Sequence, residues 1–233
     1  MIAIVPARGG SKGLVGKNLK ILSGRPLIEH TLRGALKANF IDEVIVSTDD
    51  AEIAALASSI QGVEVPFLRP AHLASDASSA IDVYLHAIDF LEKQRGADID
   101  TFCVLLPTSP LRLPEDIDCA IDMFHKHCAD VVVSVQCAKP LPWHQRISGS
   151  FKLSEVAPLD TKEAVSNRQE LDDSMVVLNG SIYVLNTSAL RMRRTYFGEK
   201  TYGYIMPADR SIDIDNIVDF RIAEALMDSR SAP

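Results

Sequence analysis

The sequence predicts an α/β fold built on a doubly wound, mostly parallel sheet. From the N-terminus to Val135, short apolar runs alternate about five times with amphipathic helical segments. The runs are apolar throughout, which is typical of strands that are covered on both faces by helices. This alternation therefore predicts one sheet between two layers of helices.

Local patterns support each element. Ile2–Val5 is an apolar run that stops at Pro6, and Pro26 suits the first turn of a helix with Leu27 and Leu32 on one face. The predicted strands are Ile2–Val5, Glu43–Thr48, Glu64–Arg69, Thr101–Leu106, Val131–Val135, Ser181–Leu185 and Tyr202–Met206. The predicted helices are Pro26–Ala38, a segment through Glu52, Ile53 and Leu56, Ser78–Gln94, Pro114–His127 and Asn216–Met227.

Proline, aspartate and basic residues mark several ends. Asp49 or Asp50 can cap the second helix, because short acidic side chains accept from the free N–H groups of a first turn. Pro66 lacks an N–H donor, so the third strand is expected at an edge of the sheet. Pro114 opens a helix that ends in the basic run His125–His127, which suits the negative end of a helix dipole.

A single domain over residues 1–233 suits this chain length. The α/β rhythm breaks from residue 138 to 178, where Pro140, Pro142 and Trp143 have no obvious place in the main sheet. We expect this segment to be an inserted arm or flap that packs against a second copy of the chain, since it would otherwise expose apolar surface.

Composition argues against several classes of protein. The net charge of −7 argues against a nucleic-acid binder held by bulk charge. No apolar run approaches the roughly 18 residues that a membrane-spanning helix needs, and the start does not resemble a signal peptide. The 4 cysteines form no CxxC pair, and we expect buried thiols in a reducing cytoplasm.

The charge is unevenly distributed along the chain. From Met1 to Ile28 there is no Asp or Glu. The same stretch contains Arg8, Lys12, Lys17, Lys20 and Arg25. An acidic protein with a locally basic, glycine-rich N-terminus can bind a small polyanion there.

The loop after the first strand, Ala7–Asn18, lies where a doubly wound sheet binds its ligand. Its glycines let backbone N–H groups approach phosphate oxygens. A Walker A motif is excluded, because Ser11 stands where that motif needs glycine and Asn18 follows Lys17 in place of Ser or Thr. GxGxxG is also absent, so the loop indicates a third kind of phosphate site.

Several segments together resemble one family. ARGGSKGLVGKN followed by GRPLIEHTL is similar to the N-terminus of CMP-sialic acid synthetases, also called acylneuraminate cytidylyltransferases. VIVSTDDAEIA, RPAHLASDASSAIDVYLHAI, LLPTSPLR, NGSIYV and RSIDIDNIVDFRIAEAL resemble further family segments in the family order. The resemblance implies a Rossmann-like nucleotidyltransferase fold with a dimerisation arm. It also implies an enzyme that joins CMP from CTP to a sialic-acid-like nonulosonic acid and releases pyrophosphate.

The nucleotide contacts follow from this reaction, which concentrates charge on the transferring and leaving phosphates. We expect Arg8 and Lys17 to be the catalytic cations. The further nucleotide contacts are Ser11, Lys12, Asn18, Arg69, Ser78, Ser79 and Ala80. Arg69 could support the cytosine pocket, and backbone groups at Ser78–Ala80 could contact the base edge. Plain helix capping is the alternative for Ser78.

Asp213 and Asp215 form the candidate metal pair. In an extended strand alternate residues share a face, so both carboxylates would point one way while Ile212 and Ile214 point into the core. The resemblance assigns this pair to Mg²⁺ and to catalysis. Capping of the last helix is an alternative for Asp215.

The sugar-facing residues include Thr108, Ser109 and Arg112, which follow a buried strand. The resemblance adds Arg168, Asn179 and Tyr183, and an ion pair within the arm is an alternative for Arg168. Some relatives have a glutamine where this chain has Leu106, and the chain also departs from the family at Pro142 and Val177. These differences favour a less polar or differently acylated acid, such as a legionaminic- or pseudaminic-type acid.

Other functions remain open from the sequence. One is a cytidylyltransferase for an eight-carbon acid, Kdo. Another is a metal-dependent glycosyltransferase, which the Asp-Ile-Asp pattern suggests, and a third is a non-catalytic nucleotide-binding module. The family resemblance also implies a homodimer whose arm completes the sugar pocket of the other copy.

Overall fold

A seven-stranded sheet forms the centre of the chain. The computed structural model describes residues 1–11, 13–75, 77–138 and 175–231, with the backbone of 145–147 and 153–155. The strands are β1 (Ile2–Pro6), β2 (Ile21–Leu22), β3 (Arg25–Pro26), β4 (Glu43–Ser47), β5 (Val63–Glu64), β6 (Thr101–Leu105), β7 (Val131–Cys137), β8 (Gln145–Ile147), β9 (Leu153–Glu155), β10 (Val176–Asn186) and β11 (Thr201–Ile205). The helices are α1 (Leu27–Ala35), α2 (Ala51–Ser58), α3 (Ala80–Arg95), α4 (Pro114–Lys126), α5 (Thr187–Arg193) and α6 (Ile217–Ser231).

The sheet order is β11-β7-β10-β6-β1-β4-β5. β1 lies between β4 and β6 and runs parallel to both, while β10 runs antiparallel to β6 and β7. The mostly parallel, doubly wound sheet is therefore confirmed. Strands β1, β4 and β6 end at the same edge, which gathers the loops that follow them.

Helices cover both faces of the sheet. One buried cluster packs α1, α2 and α4 against the sheet, and a second packs α3 and α5 against the opposite face. A third cluster joins α6 to the β2–β3 hairpin and to Leu111, with Ile214 and Phe220 buried in it. This third cluster attaches the C-terminal segment beside the loop after β1.

The structure differs from the predicted elements in three places. The strand predicted over Glu64–Arg69 is confined to Val63–Glu64, because Pro66 cannot continue the ladder and only an isolated bridge forms at Leu68. The β2–β3 hairpin was not predicted. It turns through Ser23 and Gly24, which both have positive φ as a type I′ turn requires. Helix α5 was not predicted either.

Strand β10 begins inside the segment predicted to be the arm. Val176 pairs with Cys137 of β7, Val177 with Gln136 and Leu178 with Val135. Residues 176–178 therefore belong to the main sheet. Within the segment, β8 and β9 pair antiparallel, while Pro140, Pro142 and Trp143 lie outside the described residues.

The cysteines are free, but most are not buried as expected. Cys103 lies in β6 within the core, and burial raises the pKa of its thiol to about 12. Cys119, Cys128 and Cys137 are exposed, because they occupy the outer side of α4, the turn after it and the end of β7. In the described part of the chain, no helix combines the length and apolar character needed to cross a membrane.

Candidate active site

A cavity of about 560 Å³ opens where β1 and β6 end and α3 begins. Its walls are the loop after β1, the segment that leads into α3, the loop after β6, and Asp215. The predicted site residues that line it are Arg8, Ser11, Lys17, Asn18, Arg69, Ser78, Ala80, Thr108 and Asp215. The structure thus brings residues from distant parts of the sequence into one site.

The loop after β1 is fastened to the end of β4. The Ala7 N–H donates to the Ser47 carbonyl at 2.9 Å, and the Gly9 N–H donates to Asp49 Oδ1 at 3.2 Å. A Cβ on Gly9 would lie 2.3 Å from Asp50 Oδ2, so only glycine permits this close approach. Asp50 itself caps α2, as predicted, by accepting from Glu52 N and Ile53 N.

Asn18 supports the same loop from inside. Its side chain is buried, and its Nδ2 donates to the carbonyl of Arg8 at 2.9 Å. Asn18 therefore lines the cavity while holding Arg8 in place. Lys12 lies outside the described residues.

Lys17 connects the loop to the C-terminal segment. Its Nζ donates to the Ile214 carbonyl at 2.6 Å and to Asp215 Oδ1 at 3.3 Å. Gly13 approaches the Asp215 carbonyl so closely that a Cβ would lie 2.3 Å from that oxygen. The cationic loop and the acidic segment therefore form one continuous wall.

The acidic segment is irregular, not the extended strand that was predicted. Ile214 is fully buried and its N–H donates to the Thr108 carbonyl at 2.8 Å, whereas Asp213 and Asp215 are exposed. Ile214 therefore faces the core and the two carboxylates face outward, as predicted, although the segment pairs with none of the described strands. Asn216, not Asp215, accepts from the first N–H groups of α6.

Asp213 lies beside the cavity rather than in its lining. Although it reaches the surface, partial burial raises its pKa, and the nearby charge of Asp215 acts in the same direction. A hydrogen bond from Thr108 and the charge of Lys17 oppose this shift. Partial burial, with a lesser contribution from Asp215, thus disfavours the charged carboxylate, a condition that a bound cation would relieve.

The residues present suit a cation that is shared with a polyanionic ligand. Among the described residues, no group of three or more Asp, Glu, His or Cys could enclose a metal by itself. The side chain of Asp215 is 78% exposed and lies in the cavity next to Lys17. Mg²⁺ commonly takes only one or two carboxylates and completes its shell with water and phosphate oxygens.

The opposite end of the cavity is built around Arg69. This arginine is buried, donates from Nε to Ser47 Oγ at 3.3 Å, and also donates to the Ser47 carbonyl. Burial lowers its pKa, and Asp49 raises it. Its guanidinium is therefore held rigidly at the end of β4.

The N-terminus of α3 completes this end. Ser78 Oγ donates to the His72 carbonyl at 2.8 Å, so its side chain supports the preceding turn and does not cap the helix. Ala80 lines the cavity as predicted, whereas Ser79 is the N-cap residue and lies outside the lining.

Tyr84 also lines the cavity, although it was not among the predicted site residues. It is 3% exposed, and its hydroxyl bonds to Tyr196, whose ring lies 5.0 Å from the ring of Tyr183. Its position four residues after Ala80 could have identified it, since residues four apart share one face of a helix.

Of the residues predicted to contact the sugar after β6, only Thr108 lines the cavity. Arg112 is buried, and it donates to Ser181 Oγ at 3.2 Å and to Thr31 Oγ1 at 3.1 Å. Ser109 is fully buried, and its Oγ has no hydrogen-bond partner among the described residues. The prediction that Ser109 and Arg112 contact substrate is therefore not supported, because both point into the protein.

Asn179 and Tyr183 also lie inside the protein. Asn179 accepts from Ser134 Oγ at 2.6 Å and donates to Ser211 Oγ at 3.0 Å, so its amide is used internally. Tyr183 packs in the core against α3 and α5. Both were predicted to contact substrate, and neither lines the cavity, so this role stays a prediction. Arg168 lies outside the described residues.

Two departures from the family can be placed. Leu106 lines the cavity as an apolar side chain between β6 and Thr108. Val177 is exposed near the start of β10. An apolar group therefore borders the cavity directly after β6.

Known proteins that are similar to this chain transfer a cytidylyl group or synthesise a CMP-linked sugar acid, according to their names. A family described as cytidylyltransferase matches residues 2–173. The chain is 36% identical over 232 residues to the CMP-N,N'-diacetyllegionaminic acid synthase of Legionella pneumophila, covering 98% of this chain and 96% of that protein. It is 31% identical over 241 residues to the N-acylneuraminate cytidylyltransferase of Escherichia coli, covering 99% of this chain and 53% of that protein.

Solved structures share the fold. A CMP:2-keto-3-deoxy-manno-octonic acid synthetase complexed with CTP has a TM-score of 0.69 and 17% identity, with 98% of each chain covered. The 4-diphosphocytidyl-2C-methyl-D-erythritol synthase of Anaerococcus prevotii has a TM-score of 0.65 and 15% identity, with 97% of each chain covered. The Rossmann-like nucleotidyltransferase fold is thereby confirmed. Because the family match spans most of the chain and the Legionella relative spans nearly all of it, the chain belongs to the cytidylyltransferase family.

Proposed function

We propose that the protein transfers CMP from CTP to a nonulosonic acid of the N-acylneuraminate or legionaminate type and releases pyrophosphate. The observation that carries this proposal is the single cavity that joins a cationic glycine-rich loop to an acidic segment at one end and a rigid arginine to a helix N-terminus at the other. A nucleotide has the same polarity, with phosphates at one end and a base at the other.

The residues at the loop end would hold the phosphates. Arg8, Ser11 and Lys17 line this end, and backbone N–H groups of a glycine-rich loop suit phosphate oxygens. The sugar hydroxyl would attack the α-phosphorus, lose its proton, and displace pyrophosphate. Lys17 can stabilise the charge that develops on these oxygens, because its Nζ already lies at the junction with Asp215.

Asp213 and Asp215 are the proposed residues for Mg²⁺. The exposed carboxylate of Asp215 and the partly desolvated carboxylate of Asp213 support this role. When bound, Mg²⁺ would neutralise charge on the phosphates and orient them. Thr108 holds Asp213 by a hydrogen bond, and Lys17 holds Asp215, so the chain itself sets where both carboxylates lie.

The base would lie at the Arg69 end, between Ala80, Val83 and Tyr84. Arg69 is fixed by Ser47, and α3 presents backbone N–H groups toward the cavity at Ala80. A pocket with buried, prearranged polar groups discriminates strongly between bases, because a mismatched base leaves those groups unpaired.

A less polar or differently acylated sugar acid suits the part of the cavity beside the loop after β6. Leu106 replaces a polar contact with an apolar one there. The relative from Legionella pneumophila, named for a diacetylated legionaminic acid, is the more similar of the two relatives described above. We therefore propose N,N'-diacetyllegionaminate as the first acid to test.

We also propose that the protein is a homodimer and that it acts in the cytoplasm. Between β7 and β10, strands β8 and β9 pair with each other in a separate two-stranded sheet, as part of an arm toward a second copy would. Free cysteines accord with a reducing compartment. Sedimentation at micromolar concentration tests the dimer, and a fully active monomer would contradict it.

Pyrophosphate release tests the reaction. The protein is incubated with CTP, UTP, GTP or ATP, with N,N'-diacetyllegionaminate, N-acetylneuraminate or Kdo, and with Mg²⁺ or EDTA. We expect release only with CTP, Mg²⁺ and a nine-carbon acid together. Equal turnover with GTP would overturn the nucleotide assignment, and faster turnover with Kdo would overturn the acid. Binding of CTP without turnover of any acid would leave the non-catalytic module as the explanation.

A further inference from the structure

The acidic segment Ser211–Asp215 must hold two carboxylates in place without belonging to a helix or strand. Two of its attachments are within or next to the site. Ser211 accepts from Asn179 Nδ2 at 3.0 Å, and the Ile214 N–H donates to the Thr108 carbonyl at 2.8 Å. A third attachment holds Arg210, the residue directly before this segment, and does not line the cavity.

This third attachment is the carboxylate of Asp116, in the first turn of α4. The residue is 1% exposed, and its two oxygens accept from Leu113 N at 2.9 Å, Tyr204 Oη at 2.9 Å, and Arg210 Nε and Nη2 at 2.9 and 2.8 Å. A carboxylate this buried is stable when its oxygens are fully used, and here they are.

The pair with Arg210 is bidentate and fixes both distance and orientation. Guanidinium and carboxylate planes match in this geometry, which a lysine cannot reproduce. Arg210 ends a short turn, Ala208–Arg210, and Ser211 follows directly. Asp116 therefore fixes the point from which the acidic segment starts.

We propose that Asp116 is a positioning residue for the metal-binding carboxylates of Asp213 and Asp215, and that it acts through Arg210. It does not line the cavity, so it has no direct contact with the nucleotide there. The inference rests on the proposed function, because it assumes that these carboxylates bind Mg²⁺ together with CTP.

Loss of the pair should affect the two ends of the cavity differently. The acidic segment would keep its attachments at Ser211 and Ile214 but would lose its fixed starting point. The carboxylates would then sample several positions, which weakens the metal more than the base. Removal of an outer hydrogen-bond partner typically weakens metal binding about 10–100-fold. The Arg69 end is built on β4 and α3 and should be unchanged.

The matched variants are Asp116→Asn, Arg210→Gln and Arg210→Lys. Arg95→Gln is the control, because Arg95 makes a bidentate pair with Glu43 at the opposite end of the sheet from the cavity. Asp116→Asn changes a buried group and could prevent folding. The Arg210 side chain is 24% exposed, so Arg210→Gln tests the same pair in a variant that is expected to fold.

The primary measurement is Mn²⁺ binding, by electron paramagnetic resonance, to each folded protein with CTP and without a sugar acid. Thermal melting and the Mg²⁺ concentration for half-maximal turnover accompany it. We expect Mn²⁺ dissociation constants at least about 10-fold higher in Asp116→Asn and Arg210→Gln, an intermediate value in Arg210→Lys, and no change in Arg95→Gln. Turnover of the first two variants should recover at high Mg²⁺.

Unchanged Mn²⁺ binding in Arg210→Gln would overturn the inference, as would an equal loss in Arg95→Gln. A parent protein that binds no Mn²⁺ with CTP would overturn both the inference and the proposed metal role. A parent that binds Mn²⁺ with CTP but uses a different acid would overturn only the substrate, and the inference about Asp116 would stand.

Discussion

The residues predicted to contact the nucleotide and those predicted to contact the sugar differ in how their polar groups are used. Among the residues predicted to contact the nucleotide, Arg8 and Lys17 in the segment after β1 and Arg69 in the segment after β5 all line the cavity. Among the residues predicted to contact the sugar, Arg112 in the loop after β6 and Asn179 within β10 are instead buried and bonded inside the protein. Position at the carboxyl end of a strand is therefore insufficient to assign a polar residue to a site.

The difference arises from what each loop must satisfy. The loop after β1 is held by a backbone hydrogen bond to β4 and by the Asn18 side chain, and its cationic residues Arg8 and Lys17 line the cavity. Strand β10 instead has a register irregularity between Leu178 and Tyr183, where backbone groups lack regular partners. Arg112 and Asn179 supply those partners, because buried backbone groups without hydrogen bonds are costly.

The largest effect that we expect is on activity, and it concerns Lys17, which is predicted to contact the nucleotide. Lys17→Met should lower kcat/KM for CTP by about 100-fold or more, since it removes a charge from the phosphates and the bond to Asp215. Lys20→Met is the matched control. Its ammonium lies 5.6 Å from the ring centre of Phe220 and outside the cavity lining, so kcat/KM should stay within about 3-fold.

Steady-state pyrophosphate release measures both variants, and circular dichroism verifies that both fold. Equal losses in the two variants would show that the N-terminal segment acts through its total charge. In that case the placement of Lys17 at the junction with Asp215 would have no special role.

A smaller effect, on stability instead of activity, should distinguish the structural role of Arg112 from the role of Lys17 in the site. Arg112→Met should lower the free energy of unfolding by about 2–4 kcal/mol, because it leaves the Ser181 carbonyl and the Thr31 hydroxyl without their donor. Urea denaturation measures this loss. The KM of the folded variant for the sugar acid should change little. A variant of unchanged stability with a greatly raised KM would instead restore the substrate contact that the sequence predicts.

Sequence patterns predicted the fold well because strand–helix alternation and apolar periodicity reflect burial directly. The sequence also predicted that the loop at Arg8 and the segment of Asp215 contribute to one site, and both line the same cavity. The roles of Asp116 and Tyr84 were not, because each depends on partners about 90 to 110 residues away, Arg210 and Tyr196. Side-chain pairing at that separation leaves no local pattern.

The smallest expected effect compares two adjacent residues, Thr108 and Ser109. Thr108 lines the cavity and its hydroxyl bonds to Asp213, whereas Ser109 Oγ is buried with no partner among the residues that the structure describes. Ser109→Ala should therefore leave turnover unchanged. It should keep or raise the free energy of unfolding, by up to about 1 kcal/mol, because it removes a hydroxyl that is desolvated in the folded protein.

Thr108→Val tests the neighbouring hydroxyl with nearly the same shape. It should lower turnover about 10-fold at limiting Mg²⁺, since Asp213 loses a donor that holds its carboxylate, and Thr108→Ser should restore most of the activity. Pyrophosphate release and urea denaturation on the same three variants give both quantities. A large loss of turnover in Ser109→Ala, with stability unchanged, would mean that the Ser109 hydroxyl reaches the substrate. The cavity would then extend to Ser109 in another conformation of the protein. The contrast between the nucleotide-contact and sugar-contact residues would reflect that conformation, not the residues themselves.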